Sequence, residues 1–120
     1  MKAELSKTYK FDAGHYLPHV QPGHKCARPH GHSYRVTIFV AGEVDEEAGW
    51  VMDFCRVNEV ADPLIKQLDH ASLNEIEGLS NPTSERLAKW LWDRIRPDLG
   101  GLEAVTVCET DTSSCTYRGE

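Results

Sequence analysis

Residues 26–40 read CARPHGHSYRVTIFV, a short loop segment that leads into an alternating apolar stretch. From Tyr34 onward every second residue is apolar, which predicts a β-strand with one buried face. Because side chains repeat every two residues along a strand, His30 and His32 are expected on that same face. Two imidazoles so close together on a rigid element favour a transition-metal site.

The composition limits the class of protein. The chain has 120 residues, which suits one domain spanning residues 1–120 with a modest core. No apolar run is long enough to cross a membrane, and residues 1–7 lack the apolar region of a secretory signal, so a cytoplasmic location is expected. The four cysteines are then expected to be reduced thiols. The net charge of -6 argues against a role in coating nucleic acid.

The hydrophobic pattern predicts an α+β domain with the element order β-β-α-α-β-β. Strands are expected at residues 2–15, about 30–42, about 103–110 and 115–118. Three prolines mark residues 16–29 as a loop, and Asp111-Thr112-Ser113 is expected to be a turn. A four-stranded antiparallel sheet with both helices on one face is the natural packing, and its other face stays uncovered, which suggests self-association.

The two helices are expected between the second and third strands. Asp53 is a suitable N-cap for the first helix. The apolar residues of this helix recur at helical spacing: Phe54, Val57, Val60, Leu64 and Leu68. Pro63 lies inside that pattern and is expected either to kink the helix or to mark a boundary. The second helix is expected to begin at the capping residues 81–85 and to end at Pro97.

At the ends of three predicted strands, ionisable residues are expected on the same face as the apolar side chains. They are His15 on the first strand, His30 and His32 on the second, and Glu109 on the third. Burying such groups costs free energy unless something satisfies them, so a metal or ligand is expected near this end of the sheet. The alternative is an exposed rim position, which is common for a carboxylate such as Glu109 at a strand end.

Cys26 has two open roles. If it joins His15, His30 and His32, the four residues form a closed structural zinc site. If it stays outside that set, the three histidines leave a fourth coordination position open to water or substrate, as a catalytic zinc requires. Cys26 would then act as a nucleophile.

Two further histidines and three further cysteines also have to be considered as possible metal ligands. His19 and His24 lie in the loop, where histidines are usually solvated, and His24 is the better rival because it lies two residues before Cys26. The remaining cysteines fit no paired zinc template and are expected to be small buried side chains. They are Cys55, Cys108 and Cys115.

Several ordered motifs resemble the 6-pyruvoyl-tetrahydropterin synthase superfamily. They are Phe11-x-Ala13-x-His15, Cys26-x-x-x-His30-Gly31-His32, Asp69-His70-Ala71-x-Leu73-Asn74, Asn81-Pro82-Thr83-Ser84-Glu85 and Cys108-Glu109-Thr110. The likeness covers essentially the whole chain, through Tyr117-Arg118-Gly119. The three-residue spacer after Cys26 further resembles the bacterial 6-carboxy-tetrahydropterin synthase branch, which serves queuosine-precursor biosynthesis.

The resemblance implies a role for each motif residue. The implied zinc ligands are His15, His30 and His32. Cys26 would be the catalytic acid/base thiol, and Asp69 and His70 would form its partner relay. The alternative for Asp69 and His70 is a helix C-cap, with the histidine favoured by the helix dipole. A relay requires irregular backbone there, because adjacent residues on a regular element point apart.

The remaining implied roles concern the substrate. Glu109 would anchor the pterin ring by accepting hydrogen bonds from its exocyclic amine and ring nitrogen, and would also serve in the proton relay. The positive side chains of Lys25, Arg28 and Arg118 are candidates for binding a triphosphate. Their alternative is ordinary solvated surface charge.

The implied fold is the tunnelling fold, or T-fold, in which the sheets of three chains close a barrel and two trimers stack into a hexamer. Active sites in that fold lie between subunits. Cys26 is therefore expected to meet Asp69 and His70 of a neighbouring chain.

The implied activity is that of a zinc-dependent carbon–carbon lyase acting on 7,8-dihydroneopterin triphosphate. Its products are 6-carboxy-5,6,7,8-tetrahydropterin, acetaldehyde and triphosphate, with no need for nicotinamide or flavin. One alternative is a sister enzyme that stops at the pyruvoyl product, or an aldolase that acts on unphosphorylated dihydroneopterin. Another is a non-catalytic zinc module in which Cys26 is a ligand.

Overall fold

The protein, described over all 120 residues by a computed structural model, is a four-stranded antiparallel sheet with two α-helices. The strands are β1 (Lys2–His15), β2 (His30–Glu43), β3 (Leu102–Thr110) and β4 (Ser113–Tyr117). The helices are α1 (Phe54–Leu68) and α2 (Ser84–Ile95). The predicted β-β-α-α-β-β order is confirmed. None of the helices combines the length and the apolar composition that a membrane span requires.

The sheet has the simple order β1-β2-β3-β4, so each strand pairs with its neighbour in sequence. The β1–β2 ladder runs from Lys2 opposite Glu43 to His15 opposite His30. In this register Ala13 lies opposite His32. Because neighbouring strands are only about 5 Å apart, the register brings the three histidines to one end of the sheet.

One face of the sheet carries the hydrophobic core. Phe11 and Tyr34, which are opposite each other in the ladder, are both buried on this face. The helix residues that pack into the same core are Val57, Ala61 and Leu68 from α1, and Leu87, Ala88, Trp90, Leu91 and Ile95 from α2. The alternating pattern of the strands therefore places β-strand and helix side chains in one cluster, as expected for a two-layer α+β fold.

The opposite face of the sheet is polar. One threonine from each strand forms a row across it: Thr8, Thr37, Thr106 and Thr116. The hydroxyls of Thr8 and Thr37 are 2.9 Å apart, and those of Thr106 and Thr116 are 2.7 Å apart. Cross-strand hydroxyl pairs of this kind stabilise a sheet face without apolar burial.

Three details of the helices and cysteines differ from the sequence prediction. Helix α1 continues through Pro63 to Leu68, so the boundary predicted there is wrong. Phe54 is 45% exposed because it lies in the first turn, ahead of the buried positions of α1. Cys55, its neighbour, is also exposed, while Cys108 and Cys115 are half-buried. Cys108 lies two residues after Thr106 on β3, so both side chains are on the uncovered face of the sheet. This explains why Cys108 is not in the core.

The last strand also begins earlier than predicted. Ser113 was expected in a turn, but it pairs with Thr110 as the first residue of β4, and their hydroxyls are 2.7 Å apart. The turn therefore contains only Asp111 and Thr112 between the paired residues, a common hairpin length. A strong cross-strand hydroxyl pair explains the longer strand.

The segment that follows α1 covers part of the free edge of β1. The backbone N–H of Asp12 donates to Asp69 Oδ1 at 3.1 Å, and the Asp12 carbonyl accepts from the His70 N–H at 2.6 Å. Gly14 donates to the Ala71 carbonyl at 3.0 Å and forms a parallel bridge with Ser72. These contacts place Asp69 and His70 beside the end of β1 that carries His15.

Candidate metal centre and active site

His15, His30 and His32 form a cluster at the end of the core face. Their ligand atoms all lie within 4.8 Å of one another. His15 Nε2 is 3.0 Å from His30 Nε2 and 3.1 Å from His32 Nε2. His15 is almost fully buried, with 3% exposure, and the other two imidazoles are half-buried. The cluster thus has a buried floor and an accessible side.

The chemistry of this donor set fits a divalent metal ion. The Nδ1 atoms of His15 and His30 contact the carbonyl oxygens of Pro82 and Arg28 at 2.8 and 2.7 Å. Because a carbonyl oxygen only accepts, each Nδ1 carries the hydrogen and each neutral ring has its lone pair on Nε2. A single proton shared between two rings would give a bonding partner to only two of the three Nε2 atoms, whereas one divalent ion can bind all three. The carbonyl partners are typical of metal-bound histidines.

The distances also suit zinc. Nitrogen ligands about 2.0–2.1 Å from a tetrahedral zinc are separated by about 3.3 Å. The observed 3.0 and 3.1 Å separations need to open by only a few tenths of an ångström. Burial lowers the pKa of His32, the Glu109 carboxylate opposes this, and the other two histidines lower it further. A low pKa keeps His32 in the neutral form that binds metals.

Cys26 lies beside this cluster but outside it. It belongs to a short 3-10 turn, Lys25–Ala27, and its carbonyl accepts the Leu17 N–H at 2.8 Å. A cavity of about 330 Å³ is lined by Lys25, Cys26, His30 and His32. The sulfur is not among the atoms that lie within 4.8 Å of one another in the histidine cluster. This arrangement corresponds to the open three-histidine alternative and places Cys26 next to the accessible side of the histidine cluster.

His24 has a different role from that of a ligand. Its Nδ1 accepts the backbone N–H of Cys26 at 3.0 Å and so caps the turn that carries the thiol. His19 is exposed in the same loop, and neither histidine belongs to the metal cluster. The sequence predicted His24 as the better rival for a ligand, and the structure instead makes it a support for Cys26.

Removing this cap is expected to loosen the Cys26 turn. In His24→Ala the Cys26 N–H loses its acceptor, which typically costs about 1 kcal/mol and so accelerates local amide exchange about fivefold. Hydrogen exchange at the Cys26 amide measures this effect. His24→Asn is the matched control, because asparagine is itself a good cap and should restore protection. Equal protection in wild type and His24→Ala would show that the cap contributes nothing.

Asp69 and His70 form a close pair on irregular backbone. Asp69 Oδ1 is 3.0 Å from His70 Nδ1, although the two residues are adjacent in sequence. Asp69 is the C-cap of α1 in extended backbone, and His70 has a φ of 57°, in the left-handed region. Such a conformation is uncommon for histidine, and its strain is typical of functional positions. Asp69 therefore ends α1 as its C-cap and also contacts His70, so the structure has the features of both alternatives.

The Asp69 carboxylate is expected to titrate at low pH. The backbone N–H of Asp12 lowers the pKa of Asp69 below its usual 3.8, and His70 lowers it further. Since the folded-state pKa is depressed, the stabilising contribution is complete above pH 3.8 and is lost as the pH falls through the lower folded-state value. Carboxyl NMR titration should give a midpoint below 3.8, and in Asp69→Asn this acid-dependent contribution should be absent. A wild-type midpoint at or above 3.8 would contradict the expected anchoring.

The implied substrate residues are only partly gathered around the cluster. Glu109 Oε2 is 4.0 Å from His32 Nε2, which places the carboxylate at the rim of the metal site. Lys25 lines the same cavity as Cys26. Arg28 contributes its carbonyl to His30, but its side chain is exposed, as is that of Arg118. Glu109 and Lys25 are thus close to the metal site.

Comparison with known proteins accounts for this combination of fold and residues. The protein family described as 6-pyruvoyl tetrahydropterin synthase matches this sequence over residues 4–120. The chain belongs to the 6-pyruvoyl tetrahydropterin synthase family. The resemblance inferred from the ordered motifs is confirmed.

Known proteins whose names describe different activities are similar to the chain. A 6-carboxy-5,6,7,8-tetrahydropterin synthase of Synechocystis is 42% identical over 119 residues, which cover 94% of this chain and 91% of that protein. A dihydroneopterin monophosphate aldolase of Pyrococcus furiosus is 38% identical over 101 residues, which cover 84% and 82%. The solved Caenorhabditis elegans 6-pyruvoyl tetrahydropterin synthase has a TM-score of 0.92 at 24% identity, covering 100% of this chain and 97% of that one, which shows a shared fold.

Sequence reasoning missed several residues that position the site in this pterin synthase family member. Asn74 accepts the Tyr16 N–H and donates to the Tyr16 carbonyl, both at 2.9 Å, and so holds the chain just beyond His15. Tyr34 contacts His15 through its hydroxyl. Tyr34 could have been found from sequence, because it shares the face of His30 and His32. The contact of Pro82 with His15 joins distant parts of the chain and left no local signal.

Proposed function

We propose that the chain is a zinc-dependent 6-carboxy-tetrahydropterin synthase, a carbon–carbon lyase of queuosine-precursor biosynthesis, formed by a single domain at residues 1–120. It converts 7,8-dihydroneopterin triphosphate and one water molecule, which supplies an oxygen of the new carboxylate, to 6-carboxy-5,6,7,8-tetrahydropterin, acetaldehyde and triphosphate. The observation that carries the proposal is the convergence of three histidine Nε2 atoms beside the Cys26 cavity in a member of this family. The 42% identity to the Synechocystis protein of the same activity supports the carboxy product.

The metal site would activate the substrate side chain. His15, His30 and His32 would hold the zinc ion through Nε2, with the Pro82 and Arg28 carbonyls fixing the rings of the first two. When bound, zinc supplies Lewis acidity toward the two adjacent hydroxyls of that side chain and stabilises the negative charge that develops on deprotonation.

The other residues move protons and bind the substrate. Cys26, which lines the cavity, takes up the proton lost from the side-chain carbon, and the Asp69–His70 pair exchanges protons with that thiol. Glu109 accepts hydrogen bonds from the amine and ring nitrogen of the pterin. Lys25 and Arg28 attract the triphosphate by charge.

The complete site is proposed to form between subunits of a hexamer. Cys26 lines the cavity beside the histidine cluster, whereas His70 lines two cavities with Asp12 and Ser33, residues of the uncovered sheet face. His32 borders the Cys26 cavity and one of the His70 cavities. No cavity of the chain is lined by both Cys26 and His70. A neighbouring copy would supply the Asp69–His70 pair to the Cys26 of this chain.

This arrangement predicts complementation between two inactive variants. In randomly mixed oligomers of Cys26→Ala and His70→Ala chains, about one quarter of the sites would combine an intact Cys26 with an intact His70. Unfolding, mixing and refolding the two variants should therefore restore activity that neither variant has alone. Complementation would fail if both residues served the same site from one chain, and a monomer in light scattering would likewise contradict the proposal.

The test of the function is a product assay with the zinc-loaded protein and 7,8-dihydroneopterin triphosphate. We expect acetaldehyde, free triphosphate and a 6-carboxy-tetrahydropterin in equal amounts. A pyruvoyl pterin without any released aldehyde would assign the chain to the pyruvoyl-forming enzymes. If the protein does not turn over this substrate at all, both the carboxy-forming and the pyruvoyl-forming activity are contradicted.

The similarity to the Pyrococcus furiosus protein makes an aldolase the second candidate. Retro-aldol cleavage breaks the bond between the first two side-chain carbons and leaves a hydroxymethyl group on the pterin. The two-carbon fragment is then glycolaldehyde or its phosphate ester instead of acetaldehyde. Supplying dihydroneopterin and its monophosphate in parallel, and identifying the aldehyde by mass spectrometry, separates the two candidates.

A further inference from the structure

Tyr34 is held rigidly beside the histidine cluster. The side chain is 1% exposed, and its ring stacks on Phe11 with centroids 4.9 Å apart and planes 9° from parallel. The edges of two histidine rings meet it, with centroids 6.0 Å away for His15 and 5.5 Å for His32. A ring packed on three sides in this way has no alternative rotamer to occupy without disturbing the core.

The Tyr34 hydroxyl meets the one histidine that lies deepest in the site. Its oxygen is 3.2 Å from His15 Nδ1, and the Pro82 carbonyl oxygen is 2.8 Å from the same nitrogen. Because the carbonyl only accepts, Nδ1 carries the hydrogen, which lies between two oxygen acceptors.

We propose that Tyr34 is a positioning residue for the metal centre, holding His15 so that its Nε2 faces the ion. The inference rests on the proposed zinc function, since it concerns how one ligand is oriented. Two acceptors on Nδ1 fix both the tautomer and the plane of the imidazole, and a bound divalent ion strengthens these hydrogen bonds by polarising the ring. Removing a hydrogen-bond partner of this kind typically lowers metal affinity roughly 10- to 100-fold.

The chain offers a matched control in Tyr9. Tyr9 lies on the same face of the sheet, is also buried, and donates its hydroxyl to Asn58 Oδ1 at 2.6 Å, away from the histidines. Tyr34→Phe and Tyr9→Phe each remove one hydrogen-bonded hydroxyl from a buried tyrosine and keep the aromatic ring. Both variants therefore test the general cost of that loss, but only Tyr34→Phe changes the environment of His15.

The experiment measures zinc binding by the full chain in competition with a chromophoric chelator, without substrate. We expect the dissociation constant to rise about tenfold in Tyr34→Phe and to stay within about twofold of wild type in Tyr9→Phe. With cobalt(II) in place of zinc, the visible absorption of the bound ion should shift only in Tyr34→Phe. Thermal unfolding of the metal-free proteins verifies that both variants are folded.

The outcomes separate this inference from the proposed function. The wild type could bind zinc while the two variants have equal affinities, either both weakened or both unchanged. In that case Tyr34 has no positioning role and the zinc proposal stands. If the wild type binds no zinc, both proposals are wrong. If Tyr34→Phe does not fold without metal while Tyr9→Phe does, Tyr34 supports the core rather than the metal site, and the inference is likewise overturned.

Discussion

Cys26→Ala is expected to lower turnover about a thousandfold while the chain keeps its full complement of zinc, because a general acid/base group typically contributes 10²–10⁴-fold. The structural reason is that the three histidines converge without Cys26, which lines the neighbouring cavity. Metal analysis of the purified variant, together with its steady-state rate, measures both effects.

Cys55→Ala is the control for removing a thiol. Cys55 is exposed at the start of α1, far in sequence from the metal ligands, so this variant should keep both zinc and activity. Loss of zinc together with activity in Cys26→Ala would mean that the sulfur is a ligand. The chain would then be the closed, non-catalytic zinc module and the proposed enzyme would be wrong.

His30→Ala is expected to weaken zinc binding by at least about a hundredfold. Structural zinc sites with four protein ligands contribute about 10–16 kcal/mol in all, which is about 3 kcal/mol for each ligand. His30 is a better test than His15, which is almost fully buried and whose truncation would also leave a cavity in the core. The measurement is the zinc dissociation constant by competition, with the fold monitored by circular dichroism.

His19→Ala is the matched control for the metal experiment. His19 is an exposed histidine in the loop between β1 and β2 and is absent from the cluster of ligand atoms. Its removal should leave zinc affinity unchanged. If His19→Ala weakened binding as much as His30→Ala, zinc would be bound by loop histidines at large and the proposed three-histidine centre would be wrong.

Much of the fold could be predicted because its strands and second helix have regular hydrophobic periods. The alternation along residues 2–15 and from His30 onward specifies which side chains share a face, and so predicts that the histidines lie on the core side. The bounds of β1 agree with the prediction, and α2 begins after the Thr83 cap as expected. Periodicity is informative here because each strand has one buried and one polar face.

The remaining details depend on contacts between distant residues or on irregular backbone. The left-handed conformation of His70 has no sequence signal of its own, yet it allows the contact with Asp69. The contact between His15 and Pro82 joins residues 67 positions apart. Periodicity also overestimated the burial of Phe54, because a helical pattern does not reveal where the helix first meets the sheet.

The covered stretch of the β1 edge restricts where another strand can add to this sheet. Backbone groups of Asp12 and Gly14 are already bonded to the segment after α1, so they are closed to intermolecular pairing. Only the part of β1 before Asp12 can act as a template for an incoming strand. A ladder built there stops short of His15, so an added strand would not extend along the end of the sheet that carries the imidazoles.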